Sequence, residues 1–149
     1  MPKEFKEQLG KDMNKTKLGY YIDGVSRLEV ILFNAQFEKI GITFPQFRVL
    51  NWLWRYEELT QKEIHEFVNI KPSSLTTILN VLIKKELVVR SFDEKDARVR
   101  KITLTDKSRA LEDKAWNIIS SFDDRFKEIL TGEEYEITLR SLRKIMENL

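Results

Sequence analysis

LTQKEIHEFVNIKPSSLTTILNVLIKKELVVR, from Leu59 to Arg90, is the stretch whose reading decides the fold. Thr60-Gln-Lys-Glu63 is a capping box, in which a threonine hydroxyl and a glutamate three residues on satisfy each other's free backbone N–H groups. It opens a short helix packed through Ile64, Phe67 and Val68. Asn69 and Ile70 break that helix. Pro72 then falls in the first turn of another helix, where a missing N–H costs nothing. This second helix runs to about Glu86 on the apolar stripe Leu75, Ile78, Leu79, Leu82 and Ile83. Leu87–Phe92 follows as a β-rich run.

Just downstream, DEKDARVRKITLT spans Asp93 to Thr105. Seven of its thirteen residues are charged, it has no Gly or Pro, and it ends in Ile102, Thr103 and Leu104. Val99–Leu104 reads as a second strand, with Asp93–Ala97 as the polar turn between the two. The turn lacks the usual Asn-Gly or Asp-Gly. Ile102 and Leu104 share one parity and face the core, while Lys101 and Thr103 face the other way. Asp96 is placed to pair with Arg98 or Arg100. A short helix, a tight turn, a helix and a β-hairpin make a winged helix-turn-helix.

Upstream, Leu18, Tyr21, Ile22, Val25, Leu28, Ile31, Leu32 and Ala35 recur at helical spacing, giving a long amphipathic helix over 17–37 that ends before Gly41. Thr43-Phe-Pro-Gln46 is a further capping box. The helix that it opens runs to about Tyr56 and is apolar nearly all round (Phe47, Val49, Leu50, Trp52, Leu53, Trp54), as for a helix buried on several sides. Downstream, Thr105 is expected to cap one long helix to about Leu130, and Thr131-Gly-Glu-Glu134 opens a last helix to about residue 147. The expected class is mainly α with a small β-hairpin wing (α+β).

At 149 residues one domain is expected, long enough to bury a core without metals or disulfides. There is no cysteine, which excludes disulfides, thiolate zinc sites and thiol redox switches. No signal peptide and no run long enough to span a membrane is present, so a cytoplasmic protein without a membrane partner is expected. One His, no Gly-rich phosphate loop and no nucleophile-base pairing argue against an enzyme. No cofactor or metal is expected; His65 reads as a residue at the turn or surface.

The net charge of +2 is unevenly spread. Residues 71–107 carry nine basic and five acidic side chains, a net +4, whereas 108–149 carry seven and nine, a net −2. A basic segment of this kind suits a polyanion. With the apolar stripe of the Pro72–Glu86 helix turned inward, Ser73, Ser74, Thr76, Thr77, Asn80 and Lys84 are left outside. Helix stability alone favours Glu, Lys, Gln, Arg or Ala at such positions. Short hydroxyls and an amide instead let a backbone approach a DNA groove and bond to base edges or phosphates. The helix start adds free N–H groups suited to phosphate. Arg98 extends just beyond the hairpin turn, free to enter a narrow minor groove, and Arg100 and Lys101 add charge beside it.

Three stretches carry a family likeness: GITFPQFRVLNWL (Gly41 to Leu53), Leu59 to Arg90 as quoted, and DARVRKITLTDKS (Asp96 to Ser108). In their order and spacing the chain resembles the MarR family of bacterial transcription regulators, from about Leu18 to the C-terminus. The resemblance implies a homodimer of winged-helix subunits on double-stranded DNA with a palindromic operator. It implies a DNA-binding lobe over 41–107 and dimerisation helices over 17–40 and 108–149. Pro72–Lys85 becomes the recognition helix in the major groove, with Arg98 at the wing tip in the minor groove. A repressor relieved by a small aromatic ligand is also implied, and Tyr20, Tyr21, Arg27, Arg48, Trp52 and Arg55 are the candidates to hold that ligand. The chain departs from the family pattern at four places: Lys71 where a capping Ser is common, Thr77 where a long donor is frequent, and Glu86 and Ser108 where Gly is usual. The alternative is a winged-helix protein-interaction module without specific DNA binding.

Overall fold

A computed structural model describes residues 17–96 and 98–149. Residues 1–16 of the expected 1–149 subunit, and Ala97 of the expected wing tip, lie outside the described residues. Helix α1 spans Leu18–Phe37 and passes through a 3-10 turn, Glu38–Ile40, to Gly41, whose φ of 79° ends it in the left-handed region. Helix α2 (Phe44–Tyr56) leads into strand β1 (Glu58–Thr60), then α3 (Gln61–Val68) and α4 (Pro72–Lys84). Strands β2 (Val88–Phe92) and β3 (Arg100–Leu104) form the hairpin. Three helices follow: α5 (Asp106–Arg109), α6 (Glu112–Ile129) and α7 (Gly132–Asn148). This is a mostly helical winged-helix fold with one small antiparallel sheet, ordered β1-β3-β2.

All three capping boxes form, at Thr43/Gln46, Thr60/Glu63 and Thr131/Glu134. Asn69 ends α3 with φ 47°, the left-handed conformation that Asn tolerates better than most residues. The core gathers α2, α3, α4 and the sheet: Val49, Leu50, Leu53, Ile64, Leu75, Leu79, Leu82, Val88 and Ile102 are almost wholly buried. Phe33 and Phe37 close it from α1 and Phe122 from α6, with the Phe33 and Phe122 rings 4.3 Å apart.

Two expectations are corrected. The hairpin gains a third strand, since Glu58–Thr60 pairs with Lys101–Thr103. Three residues are too few to show an alternating pattern, and their partner lies more than forty positions away. The single long helix after Thr105 breaks into α5 and α6. Thr105 does cap, accepting from Ser108 N at 3.2 Å. The Ser108 carbonyl then accepts from the Trp54 indole N–H at 3.1 Å and from Leu111 N at 3.0 Å, so the ladder tightens to an i+3 bond and the helix stops.

Candidate nucleic-acid interface

Helix α4 buries Leu75, Leu79 and Leu82 and exposes Ser73, Ser74, Thr77, Asn80 and Lys84. Ser73, Thr77, Asn80 and Lys84 follow one another at spacings of four, three and four, so they form a single stripe along the helix. Thr76 sits off that stripe, half-buried. Its hydroxyl donates to Pro72 O at 3.0 Å and accepts from the Gln61 amide at 3.2 Å, tying α4 to α3. Thr77 donates to Ser73 O at 3.1 Å, which leaves its oxygen as an acceptor and its methyl exposed. Lys71 occupies the N-cap position without a side-chain cap, and Pro72 supplies no N–H.

The wing turn is built by two aspartates instead of a glycine. Asp93 Oδ1 accepts from Lys95 N at 2.8 Å and Asp96 N at 3.2 Å, and Asp96 Oδ1 accepts from Arg98 N at 2.9 Å. Such bonds from a short side chain to its own following backbone mimic a turn. Asp96 therefore engages the backbone of Arg98 and not its guanidinium, contrary to the expected side-chain pairing. The other oxygen of Asp93 holds Lys101 Nζ at 3.0 Å, and Glu58 on β1 holds the same nitrogen at 3.3 Å. Both carboxylates raise the affinity of Lys101 for its proton. The Lys101 ammonium, followed by the Lys95 and Asp96 backbone N–H groups, lowers the Asp93 pKa below the ordinary aspartate value. Arg98 and Arg100 are exposed, and among the described residues neither has a carboxylate partner.

Sequence reasoning passed over Arg90 as a site residue. It lies on β2 opposite Ile102 of β3, and its Nη2 donates to Asn80 Oδ1 at 3.1 Å, joining wing to helix. The only advance signal was parity: Arg90 shares a strand face with Val88, which is buried.

The six candidate ligand residues fall in separate places. Tyr20 and Tyr21 stack edge to face on α1, with ring centres 5.4 Å apart, and Arg27 pairs with Asp23 one turn before it. Trp52 lies flat against Phe67 at 4.4 Å, within a stack that includes Tyr56, and Arg55 sits over the Trp52 ring at 5.6 Å. Arg48 donates to Val68 O at 2.9 Å. Of the six, only Arg48 lines the groove of about 700 Å³ beside the start of α4, together with Pro45, Ile70, Lys71, Ser74 and Thr77. Among the described residues no group of His, Cys, Asp and Glu could hold a metal ion, and no helix is long and apolar enough to cross a membrane.

Residues 42–100 match the family model described as MarR family. The chain is 27% identical over 135 residues to the organic hydroperoxide resistance transcriptional regulator of Bacillus subtilis, covering 91% of this chain and 90% of that protein. In fold it is similar to a mutant MarR from E. coli complexed with operator DNA, with a TM-score of 0.80 at 24% identity over 91% of this chain and 99% of that one. It is also similar to reduced AbfR bound to DNA, with a TM-score of 0.73 at 27% identity over 89% and 90% of the two chains.

Proposed function

We propose that this chain is a member of the MarR family and a sequence-specific, double-stranded-DNA-binding transcription regulator that acts as a homodimer. One observation carries the reading: a single exposed stripe of Ser73, Thr77, Asn80 and Lys84 lies on the helix whose partner wing holds Arg98 and Arg100 with no carboxylate partner among the described residues. The stripe suits the major groove, with Ser74 beside it at the helix start facing a phosphate. Arg98 suits the minor groove and Arg100 the adjoining backbone. Thr76 and Lys101 act one step back, because their polar atoms are engaged by Gln61 and by Glu58 and Asp93. Relatives named transcriptional regulators support a regulatory role for the binding.

The dimer is supported by apolar surface that no described residue covers. Leu18, Tyr21, Ile22, Val25 and Leu32 are exposed along α1, and α7 has no buried residue while exposing Ile137, Leu139, Leu142 and Met146. Two such subunits would read a palindrome with half-site centres roughly 34–36 Å apart, one turn of DNA.

In the finer reading the protein is a repressor relieved by a small aromatic carboxylate. The groove at Arg48 and Lys71 supports it: these two cations line it together with the apolar Pro45, Val68, Ile70 and Ile78, and Ser74 and Thr77 belong both to the groove and to the DNA-facing helix. A ligand there would compete with DNA for the same side chains. With no cysteine in these 149 residues, relief by thiol oxidation is excluded.

Selection from a random DNA library at moderate salt tests the proposal. The expected result is an enriched palindrome whose affinity falls with salt at a log–log slope of about −0.9 per phosphate neutralised. Arg98→Ala should weaken binding to it strongly while the dimer stays intact. A library with no enriched sequence would favour the protein-interaction module. Addition of aromatic carboxylates to the bound complex tests relief; operator affinity unchanged across the panel would remove the ligand from the reading.

A further inference from the structure

We propose that Arg90 is a positioning residue that fixes which edge of the Asn80 amide faces the major groove, and so sets the base read at one position of each half-site. The inference rests on the DNA-binding reading above. Asn80 is exposed on the helix stripe, and an asparagine amide is nearly symmetric in shape. Free in solvent, it can present its oxygen or its NH2 with equal ease. Arg90 removes that freedom. A guanidinium only donates, so the 3.1 Å bond from its Nη2 engages Asn80 Oδ1 and turns Nδ2 away from the wing. Arg90 is itself held from the scaffold side. It is half-buried, it stands opposite Ile102, which is fully buried, and its Nε is buried without a partner among the described residues. Its place on the strand face of the buried Val88 directs the guanidinium toward α4, where Asn80 Oδ1 is its hydrogen-bond partner.

The consequence is chemical. A fixed NH2 offers donors to the groove, so the base pair beneath Asn80 must offer an acceptor. Purine N7 is the acceptor common to adenine and guanine; thymine O4 also accepts but has the bulky C5-methyl group beside it, and cytosine presents its own N4 donor there. Asn80 held by Arg90 therefore selects purine and disfavours cytosine. The Oδ1 lone pair that Arg90 leaves free still permits the two-bond contact with adenine.

The full-length protein and the operator recovered by selection supply the test, with every base pair of one half-site varied in turn. Wild type should prefer purine at one symmetric position by roughly fivefold to a hundredfold. Asn80→Ala should flatten that position alone. Arg90→Lys keeps the charge but loses the Nη2 that reaches Asn80 Oδ1, and should flatten the same position while leaving the others selective. The double variant should be no flatter than Asn80→Ala, because the two residues act as one unit. Asn80→Asp, at an exposed site that leaves the core untouched, keeps Arg90 paired but replaces the donor with an acceptor. It should swing the preference from purine N7 toward cytosine.

A purine preference that survives Arg90→Lys, or an Asn80→Asp variant that still selects purine, would overturn the assignment. So would an Arg90→Lys variant that weakens every sequence equally, the behaviour of a phosphate anchor. A wild-type protein that selects no sequence overturns the DNA-binding reading and this one with it. A wild-type palindrome with unaltered preferences in the variants overturns only the role of Arg90.

Discussion

Ser108 stands where the resemblance drawn from the sequence leads one to expect glycine, and its hydroxyl is a buried polar group without a hydrogen bond among the described residues. The residue is fully buried, its N–H and C=O are both bonded, and its hydroxyl has no partner among the described residues. A buried hydroxyl without a bond carries a desolvation cost of roughly 1–3 kcal/mol, while alanine fills nearly the same volume with no polar atom. Ser108→Ala should therefore stabilise the fold by about 1 kcal/mol and raise Tm by about 2–4 °C, read by thermal unfolding. A fall in Tm would mean that the hydroxyl is bonded in solution. Glu86, the other departure from glycine, is held at φ 59°, a conformation that costs an L-residue about 1 kcal/mol. Its carbonyl accepts from the Thr105 hydroxyl at 2.7 Å and its carboxylate pairs with Lys107 at 3.5 Å, so the local backbone keeps the turn that glycine would make.

At the scale of the element, the wing is held by carboxylates. Asp93 closes the turn through two backbone N–H groups and ties it to β3 through Lys101, whose other partner is Glu58 on β1. Asp93 and Asp96 therefore serve to shape the hairpin, with the charge of Asp93 offset by Lys101. The Asp93 pKa is lowered in the folded state, so its contribution is fully present above the ordinary aspartate value and is lost as pH falls through the depressed one. Wing order, followed by hydrogen exchange of Lys95 and Asp96 amides, should hold through neutral and mildly acid pH and fade only below the ordinary carboxylate range. Asp93→Asn keeps a backbone acceptor but loses the Lys101 pair. It should speed exchange at those amides at neutral pH and weaken DNA binding by about tenfold or less, with the remaining fold intact. Unchanged exchange would place the order of the wing elsewhere.

For the whole molecule, α1 has two apolar faces and only one of them is covered by the described residues. Phe33 and Phe37 face the core, while Tyr21, Val25 and Ile31 stay exposed, Ile31 at 63%. Helix α7 shares the problem, with Met146 81% exposed and no residue buried. A helix that buries nothing is marginal in water, since most helical stability comes from packing an amphipathic face. Wild-type protein should run as a dimer in light scattering at micromolar concentration. Val25→Asp combined with Leu142→Asp should shift it to monomer and abolish operator binding, because one half-site carries too little contact. A wild-type monomer would remove the two-fold arrangement.

Local chemistry determined what could be read in advance. The capping boxes, the Pro72 helix start, the inward parity of Ile102 and Leu104 and the exposed stripe of α4 each follow from residues a few positions apart, where period and propensity act alone. So does the exclusion of thiol chemistry. Tertiary structure decided whatever depends on a partner far along the chain. Glu58–Thr60 becomes a strand only because β3 offers it a ladder, and the helix after Thr105 breaks because the Trp54 indole claims the Ser108 carbonyl from fifty-four residues away. The polar atoms of Lys101 and Thr76 are engaged because Glu58, Asp93 and Gln61 are brought to them. Arg90 reaches Asn80 for the same reason: a strand and a helix ten residues apart in sequence fold back against each other. Spacing settles which face a side chain occupies, but only the packed molecule settles which of its atoms are left free.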